Sequence, residues 1–181
     1  MKKLVLLVAL IVAGCAASPE NLNTVAVSEA SRLARPSKPL SSFATHELKP
    51  MTFSAEVAER PEKVEQGRIL EAKIADKLRP LFAEWAAAPQ AGRAGKLFVQ
   101  PEVVKLRVVS GGARFFAGAW SGDSFIDLDL ILTDDAGMQI ARTRITRNAS
   151  ALGGAFSIGK TDQNLHDYMA SIVHQYMVES Y

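Results

Sequence analysis

The stretch that decides the fold is residues 124–147, which read SFIDLDLILT DDAG MQIARTRITR. From Ile126 to Leu132 apolar residues alternate with mostly polar ones, the period of two that gives a strand one apolar and one polar face. The run Asp134-Asp135-Ala136-Gly137 then supplies turn residues, with glycine suited to the left-handed position that closes a four-residue hairpin loop. We therefore predict a β-hairpin with strands at 124–133 and 138–147.

The turn predicts the register of this hairpin. If Thr133 faces Met138, Asp129 lies opposite Arg142, and both are on a solvated face. The opposite face is then apolar and turns towards the core. The same register gives the pairs Asp127–Arg144, Ile126–Ile145, Leu128–Thr143 and Leu130–Ala141.

Two further strands and two long helices complete the predicted domain. The strands are expected at 43–49 and 97–109, the latter with Pro101 at an edge or a bulge. Apolar residues at spacings of three and four predict one helix over 61–88, which Pro80 should kink or divide. A second helix is expected from Thr161 or Asp162 to near the end of the chain. We expect an α+β fold: a largely antiparallel four-stranded sheet with both long helices on one face.

The first residues have the form of a secretory signal. Met1-Lys2-Lys3 is basic, and the apolar run 4–12 is too short to span a bilayer as a mature helix. Val12-Ala13-Gly14-Cys15 resembles the bacterial lipobox and contains the sole cysteine of the chain. The resemblance implies signal cleavage between Gly14 and Cys15 and lipid attachment to the Cys15 sulfur. A secreted soluble protein with a chance cysteine is the alternative.

The lipobox sets the expected location and domain organisation. Several acyl chains anchor a protein firmly where one chain is marginal. Ala16 follows Cys15, and the enteric sorting rule then implies the outer membrane, with the domain in the periplasm. We predict a signal peptide at 1–14, a lipidated cysteine with a flexible tether at 15–42, and a single α+β domain at 43–181.

The charge of the chain argues against a nucleic-acid partner. Removing residues 1–14 removes Lys2 and Lys3, which brings the 21 basic side chains down to the number of the 19 acidic ones. A neutral mature protein lacks the concentrated basic surface that nucleic acid or anionic lipid would require.

Gly154–Thr161 fits the phosphate-loop pattern of two glycines, lysine and threonine. Such a loop needs a nucleotide-binding sheet with a carboxylate on a further strand, and only one predicted helix follows it here. We therefore expect no nucleotide, and we interpret these glycines as part of a tight connection.

A second glycine-rich stretch, 110–123, carries three aromatic residues and one arginine. Its functional interpretation is a partner contact with Arg114, Phe115 and Trp120 as the candidate residues. The structural interpretation is a wide hairpin whose aromatic side chains cover the sheet.

The residues predict neither an enzyme nor a cofactor or metal site. The sole cysteine is predicted to be lipidated, and the obvious acidic residues are expected to pair with arginines. His46 is expected at a surface or an edge. His166 and His174 lie eight positions apart, too far for two ligands of one metal in a one-turn arrangement.

A set of short motifs resembles a domain-of-unknown-function family of bacterial envelope lipoproteins. These are Gly111-Gly112-Ala113-Arg114, Ala117-Gly118-Ala119, Asp134-Asp135-Ala136-Gly137, Ile140-Ala141, Gly153-Gly154-Ala155 and Thr161-Asp162. The layout of anchor, tether and compact domain is also similar to accessory factors for envelope assembly. We expect a non-enzymatic lipoprotein that docks an envelope protein partner. The alternative is a periplasmic module that binds a lipid or small ligand in a deep apolar pocket between helices and sheet.

Overall fold

The computed structural model describes residues 19–87, 92–108, 123–149 and 160–181. In chain order the elements are α1 (Pro19–Ala30), a 3-10 turn (Leu40–Ser42), β1 (Thr45–Leu48), β2 (Thr52–Phe53), α2 (Ala55–Ala58), α3 (Pro61–Ala87), β3 (Lys96–Arg107), β4 (Ser124–Asp134), β5 (Gln139–Ala149) and α4 (Lys160–Ser180). The predicted α+β class is confirmed.

In the described residues the sheet is mixed and has five strands, which corrects the prediction of four largely antiparallel ones. Its order is β1-β3-β4-β5, with β2 also paired to β3. Strands β3, β4 and β5 are antiparallel neighbours, but β1 and β2 run parallel to β3. The parallel pairing follows from α3, because a long helix between two strands returns the chain to the end of the sheet where it began.

Pro101 occupies a gap on one side of β3. The β1 pairing ends at Val99 and the β2 pairing begins at Glu102. Proline has no N–H to donate, so a position between two short parallel neighbours suits it. The predicted edge or bulge position is therefore a local edge inside an otherwise central strand.

The β4–β5 hairpin has the predicted turn but a different register. Gly137 has φ of +79°, and the Asp134 side chain accepts from the backbone N–H of Ala136 and of Met138. Thr133 pairs with Gln139 rather than Met138, and Asp129 pairs with Arg144 rather than Arg142.

The register differs by two residues. One arises at the turn, where Thr133 pairs with Gln139 instead of Met138, and the other from an extra residue in β5. Leu132 pairs with Ala141 and Thr133 with Gln139, which leaves Ile140 as a bulge. The observed counterparts of the other predicted pairs are Leu128–Ile145, Leu130–Thr143, Asp127–Thr146 and Ile126–Arg147. A shift of two residues preserves the faces, so Ile126, Leu128, Leu130 and Leu132 are all fully buried, as predicted.

The two long helices form close to where they were predicted. Helix α3 begins at Pro61, where a missing N–H costs nothing, and it continues through Pro80, which is exposed. Pro80 therefore does not divide the helix. Helix α4 begins at Lys160, just before the predicted cap, a difference within the usual spread of helix ends.

Residues 19–42 are folded against the domain, so the predicted tether is wrong for this segment. Helix α1 packs on α4 and buries Ala26 and Ala30. Beyond α1, Leu40 is fully buried, and the Tyr176 hydroxyl donates to the Ala34 carbonyl over 3.0 Å. Alanines at i and i+4 permit close helix packing while adding little hydropathy to the sequence.

One apolar core lies between the sheet and helices α1, α3 and α4. Its largest fully buried side chains are Tyr176, Leu40, Leu70, Ile74, Leu78, Leu97, Leu106, Ile126, Leu128, Leu130, Leu132 and Leu165. Among the residues that the structure describes, no helix has the length and apolarity needed to cross a bilayer.

Candidate functional site

The residues predicted for function lie outside the described ranges. This applies to Gly14 and Cys15 and to the candidate contacts Arg114, Phe115 and Trp120. The phosphate-loop pattern also falls there, apart from the backbone of its last two residues in α4.

The structure does locate the attachment points of the two glycine-rich stretches. Arg107 pairs with Phe125, so residues 109–122 leave and re-enter at one end of the sheet. Ser124 pairs with Ala149, so residues 150–159 leave from that same end. Two stretches that are separate in the sequence are thus attached side by side.

The outer face of the sheet, which points away from the helices, carries a cluster of two acidic and two basic side chains. Asp129 lies at its centre, with only 3% of its side chain exposed. Arg144 donates from Nε to Asp129 Oδ1 over 2.6 Å, and Arg142 donates from Nε to Oδ2 over 2.8 Å. Arg142 also reaches Glu102 Oε2 over 3.1 Å. The predicted contact between Asp129 and Arg142 is therefore present, but diagonally across the ladder.

The environment of Asp129 favours its charged form. The hydrogen bond from Arg144 is the main cause that lowers the pKa of this carboxyl, and the bond from Arg142 adds to it against the effect of burial. Asp129 also raises the pKa of Arg144. Asp129 is the exception to the predicted solvated face: the two arginines cover it, although half of each arginine side chain is exposed.

A cleft of about 390 Å³ opens on another side of the domain, between α3 and the β1–β2 connection. Small residues, Ala72 and Ala75, lie among charged ones in its wall. Glu71 is fully engaged, because Oε1 accepts from the Met51 N–H over 2.8 Å and Oε2 lies 2.6 Å from Arg68 Nη1. The remaining lining residues are Leu48, Lys49, Pro50, Asp76 and Arg79. This cleft is charged and open, unlike a deep apolar pocket.

His46 lies on β1, an edge strand of the described sheet, as predicted, and its ring belongs to an aromatic cluster. Its ring centroid lies 4.8 Å from that of Trp85, which in turn stacks on Tyr181 at 4.1 Å. His46 Nε2 lies 2.9 Å from the Leu40 carbonyl and so carries the proton that it donates. Arg93 donates to the Trp85 carbonyl and to the Tyr181 hydroxyl.

Stacking of Tyr181 on Trp85 holds Tyr181 against α3, so we interpret the His46 cluster as structural. Burial is the largest cause that lowers the pKa of His46, and the charge of Arg93 lowers it further. In the described ranges, no group of three or more histidine, cysteine, aspartate or glutamate side chains is arranged to hold a metal ion.

No protein-family model matches the chain, and no curated protein matches it. Among solved structures, it is similar to a dodecamer of PelC from Paraburkholderia phytofirmans that carries a leucine-to-methionine substitution. The two chains are 18% identical, and the similarity covers 81% of this chain and 95% of that chain with a TM-score of 0.45.

Proposed function

We propose that this chain is a lipid-anchored protein of the bacterial envelope that docks another protein and has no enzymatic activity of its own. The basic start, the short apolar run and the small residues before Cys15 support the anchor. Outer-membrane attachment with the domain in the periplasm follows from the sorting rule for a chain with Ala16 after Cys15.

The observation that carries the docking proposal is the filled space between the helices and the sheet. Leu70 and Ile74 from α3, Leu128 and Leu130 from β4 and Tyr176 from α4 are each fully buried there. A lipid bound between the layers would have to displace these side chains, at a cost of about 2–5 kcal/mol for each one that lost its packing. We therefore assign partner recognition to the surface of the domain rather than to its interior.

The outer face of the sheet supports a protein as the partner. Arg142 and Arg144 are half-exposed and Glu102 is partly exposed, while the buried Asp129 holds both arginines in fixed positions. Mixed charges in fixed positions give specificity towards a folded surface. The stretch with Arg114, Phe115 and Trp120 is attached at one end of this sheet and would supply aromatic anchors.

The alternative function, a small-ligand module, would use the cleft beside α3. Its volume of about 390 Å³ lies within the range of small-molecule sites, and its charged lining suits a polar ligand rather than a lipid tail. Loss of binding on substitution of Arg79, with docking unchanged, would favour this alternative.

Site-specific photocrosslinking in cells tests the docking proposal. A photoreactive residue is placed at Trp120 or at Arg144, and a matched control is placed at Val178, which is 41% exposed on α4. We expect Trp120 and Arg144 to yield the same discrete adduct and Val178 to yield none.

A common adduct from all three positions, or none from Trp120 and Arg144 in cells where the protein is lipidated, would contradict docking through this surface.

The lipid anchor has a separate test. Cys15→Ser should abolish incorporation of labelled palmitate and leave the signal uncleaved. A Cys15→Ser protein that still takes up palmitate and matures to the same size would refute the anchor.

A further inference from the structure

We infer that the α1 side of the domain lies directly against the lipid bilayer that holds the protein. This inference rests on the proposed lipid anchor at Cys15. It concerns the surface that meets the membrane, which is a different surface from the sheet face proposed for docking.

The first step is the length of chain between anchor and fold. Helix α1 begins at Pro19, so only Ala16, Ala17 and Ser18 separate it from Cys15. An extended chain advances at most about 3.6 Å per residue, which limits the Cα distance from Cys15 to Pro19 to about 14 Å. A tether running to residue 42 would instead have reached roughly 100 Å.

The second step is that the chain is fixed to the domain from Ala26 of α1 onwards. Ala26 and Ala30 are buried against the core, and Glu29 lies 3.8 Å from Arg147 at the end of β5. Arg35 then pairs with Glu179 at 2.8 Å, and the Ser37 N–H donates to the Ile140 carbonyl over 3.0 Å. The segment therefore cannot lengthen the linker without losing these contacts.

The third step compares the linker with the domain. A domain of this size is about 40 Å across, nearly three times the maximum length of the linker. A body of that diameter on so short a linker cannot turn its attached side away from the surface. The start of α1 must face the membrane, whereas the hairpin turn lies near Ser37, well beyond the end of α1 in the chain.

The surface of this segment suits a phospholipid surface. Exposed α1 residues include Asn23, Val27 and Ser28, none of them charged. Residues 23–38 contain one acidic residue, Glu29, and three exposed basic residues. These basic residues are Arg32, Arg35 and Lys38. Arg35 is paired with Glu179, so the covalent linker, rather than attraction to anionic headgroups, supplies the proximity.

The test uses the lipidated full-length chain in vesicles of phosphatidylethanolamine and phosphatidylglycerol that contain a nitroxide headgroup lipid. The Cys15 sulfur is consumed by its thioether, so one added cysteine is the only free thiol. A fluorophore is attached at Val27→Cys on α1 or, as the matched control, at Met138→Cys beside the hairpin turn. These side chains are 46% and 51% exposed, so both should tolerate a label. Ser28→Cys provides a second α1 position.

We expect nitroxide quenching to be several-fold stronger at Val27 and Ser28 than at Met138. A flexible glycine-serine insert of about 20 residues before Pro19 adds a reach of about 25 Å and should bring all three positions to a similar low value. Equal quenching without the insert, or strong Val27 quenching that survives it, would overturn the inference.

Flotation of the vesicles separates this inference from the anchor. A chain that floats with the vesicles but shows equal quenching refutes only the orientation. A chain that fails to float, like the Cys15→Ser control, refutes the proposed anchor itself.

Discussion

Arg144 lies directly opposite Asp129 across the β4–β5 ladder, and its Nε is 2.6 Å from Asp129 Oδ1. Arg142, two residues earlier on the same strand, holds the other carboxylate oxygen. One nearly buried acid is thus shared by two half-exposed bases.

Replacing Asp129 with asparagine should destabilise the domain by about 1.5–3 kcal/mol, since charge-assisted hydrogen bonds to both arginines are lost. Asp127→Asn is the matched control: it lies on the same face and is only half-buried, so a change of about 0.5 kcal/mol or less is expected. Urea unfolding monitored by tryptophan fluorescence measures both. Equal effects of the two substitutions would show that the shared acid has no special role.

The stability of the domain should also fall in acid because of Asp129. Its pKa is lowered in the folded state, so its contribution is fully present above the unfolded pKa of about 3.9 and is lost as pH falls through the lower folded pKa. Unfolding measured from pH 6 down to pH 2 should show a shallower decline in Asp129→Asn than in the parent. Parallel curves would contradict this assignment.

Gly67→Ala should destabilise α3 although alanine is the better helix former. An added Cβ would overlap the Phe53 ring, which packs on this glycine. The overlap should cost about 1–3 kcal/mol, against a gain of about 0.5–1 kcal/mol in helix propensity. In a Phe53→Ala background the same change should become stabilising. A double-mutant cycle by thermal unfolding measures this reversal, and an unchanged sign would mean that the ring is not the obstacle.

His46 should titrate below the usual range for histidine. Burial lowers its pKa, and the nearby Arg93 charge adds to the shift. Because the folded pKa lies below the unfolded value of about 6.5, the contribution of His46 is complete above that value and is lost as pH falls through the folded pKa. NMR titration of the ring protons checks the direction. A midpoint above 6.5 would contradict the burial of this ring against Trp85.

Ala30→Asp should detach α1 from the domain. Ala30 is fully buried, and undocking a short helix costs less than burying an unpaired charge. Trypsin cleavage after Arg32 should become much faster, while Ser28→Asp, on the exposed side of the same helix, should leave the rate nearly unchanged. Equal cleavage rates for the two variants would mean that α1 is already free in the parent.

The strands and long helices could be predicted because their periodicity is strong. The alternation in β4 identified its buried side, and the spacing in α3 identified its apolar stripe. The hairpin register could not be fixed in the same way. A shift of two residues keeps every side chain on its face, and an arginine is long enough to reach Asp129 from either position.

Helix α1 was missed because it is buried through Ala26 and Ala30, which carry little hydropathic signal. The parallel pairing of β1 could have been predicted, because a strand followed by a long helix and another strand favours a crossover connection between parallel strands. The candidate contacts Arg114, Phe115 and Trp120 stay predictions, as do Gly14 and Cys15. What the structure adds is that the stretch carrying the three contacts joins β3 to β4 at the end of the sheet where β5 also ends.

The bulge at Ile140 has a protective consequence. Strand β5 is the last in the sheet, and an eleven-residue edge strand is a template on which other chains can assemble. Ser37 occupies the Ile140 carbonyl with both its N–H and its hydroxyl, while the bulge interrupts the regular spacing of the free backbone groups. The segment after α1 therefore makes pairing of another chain with the edge of β5 less favourable.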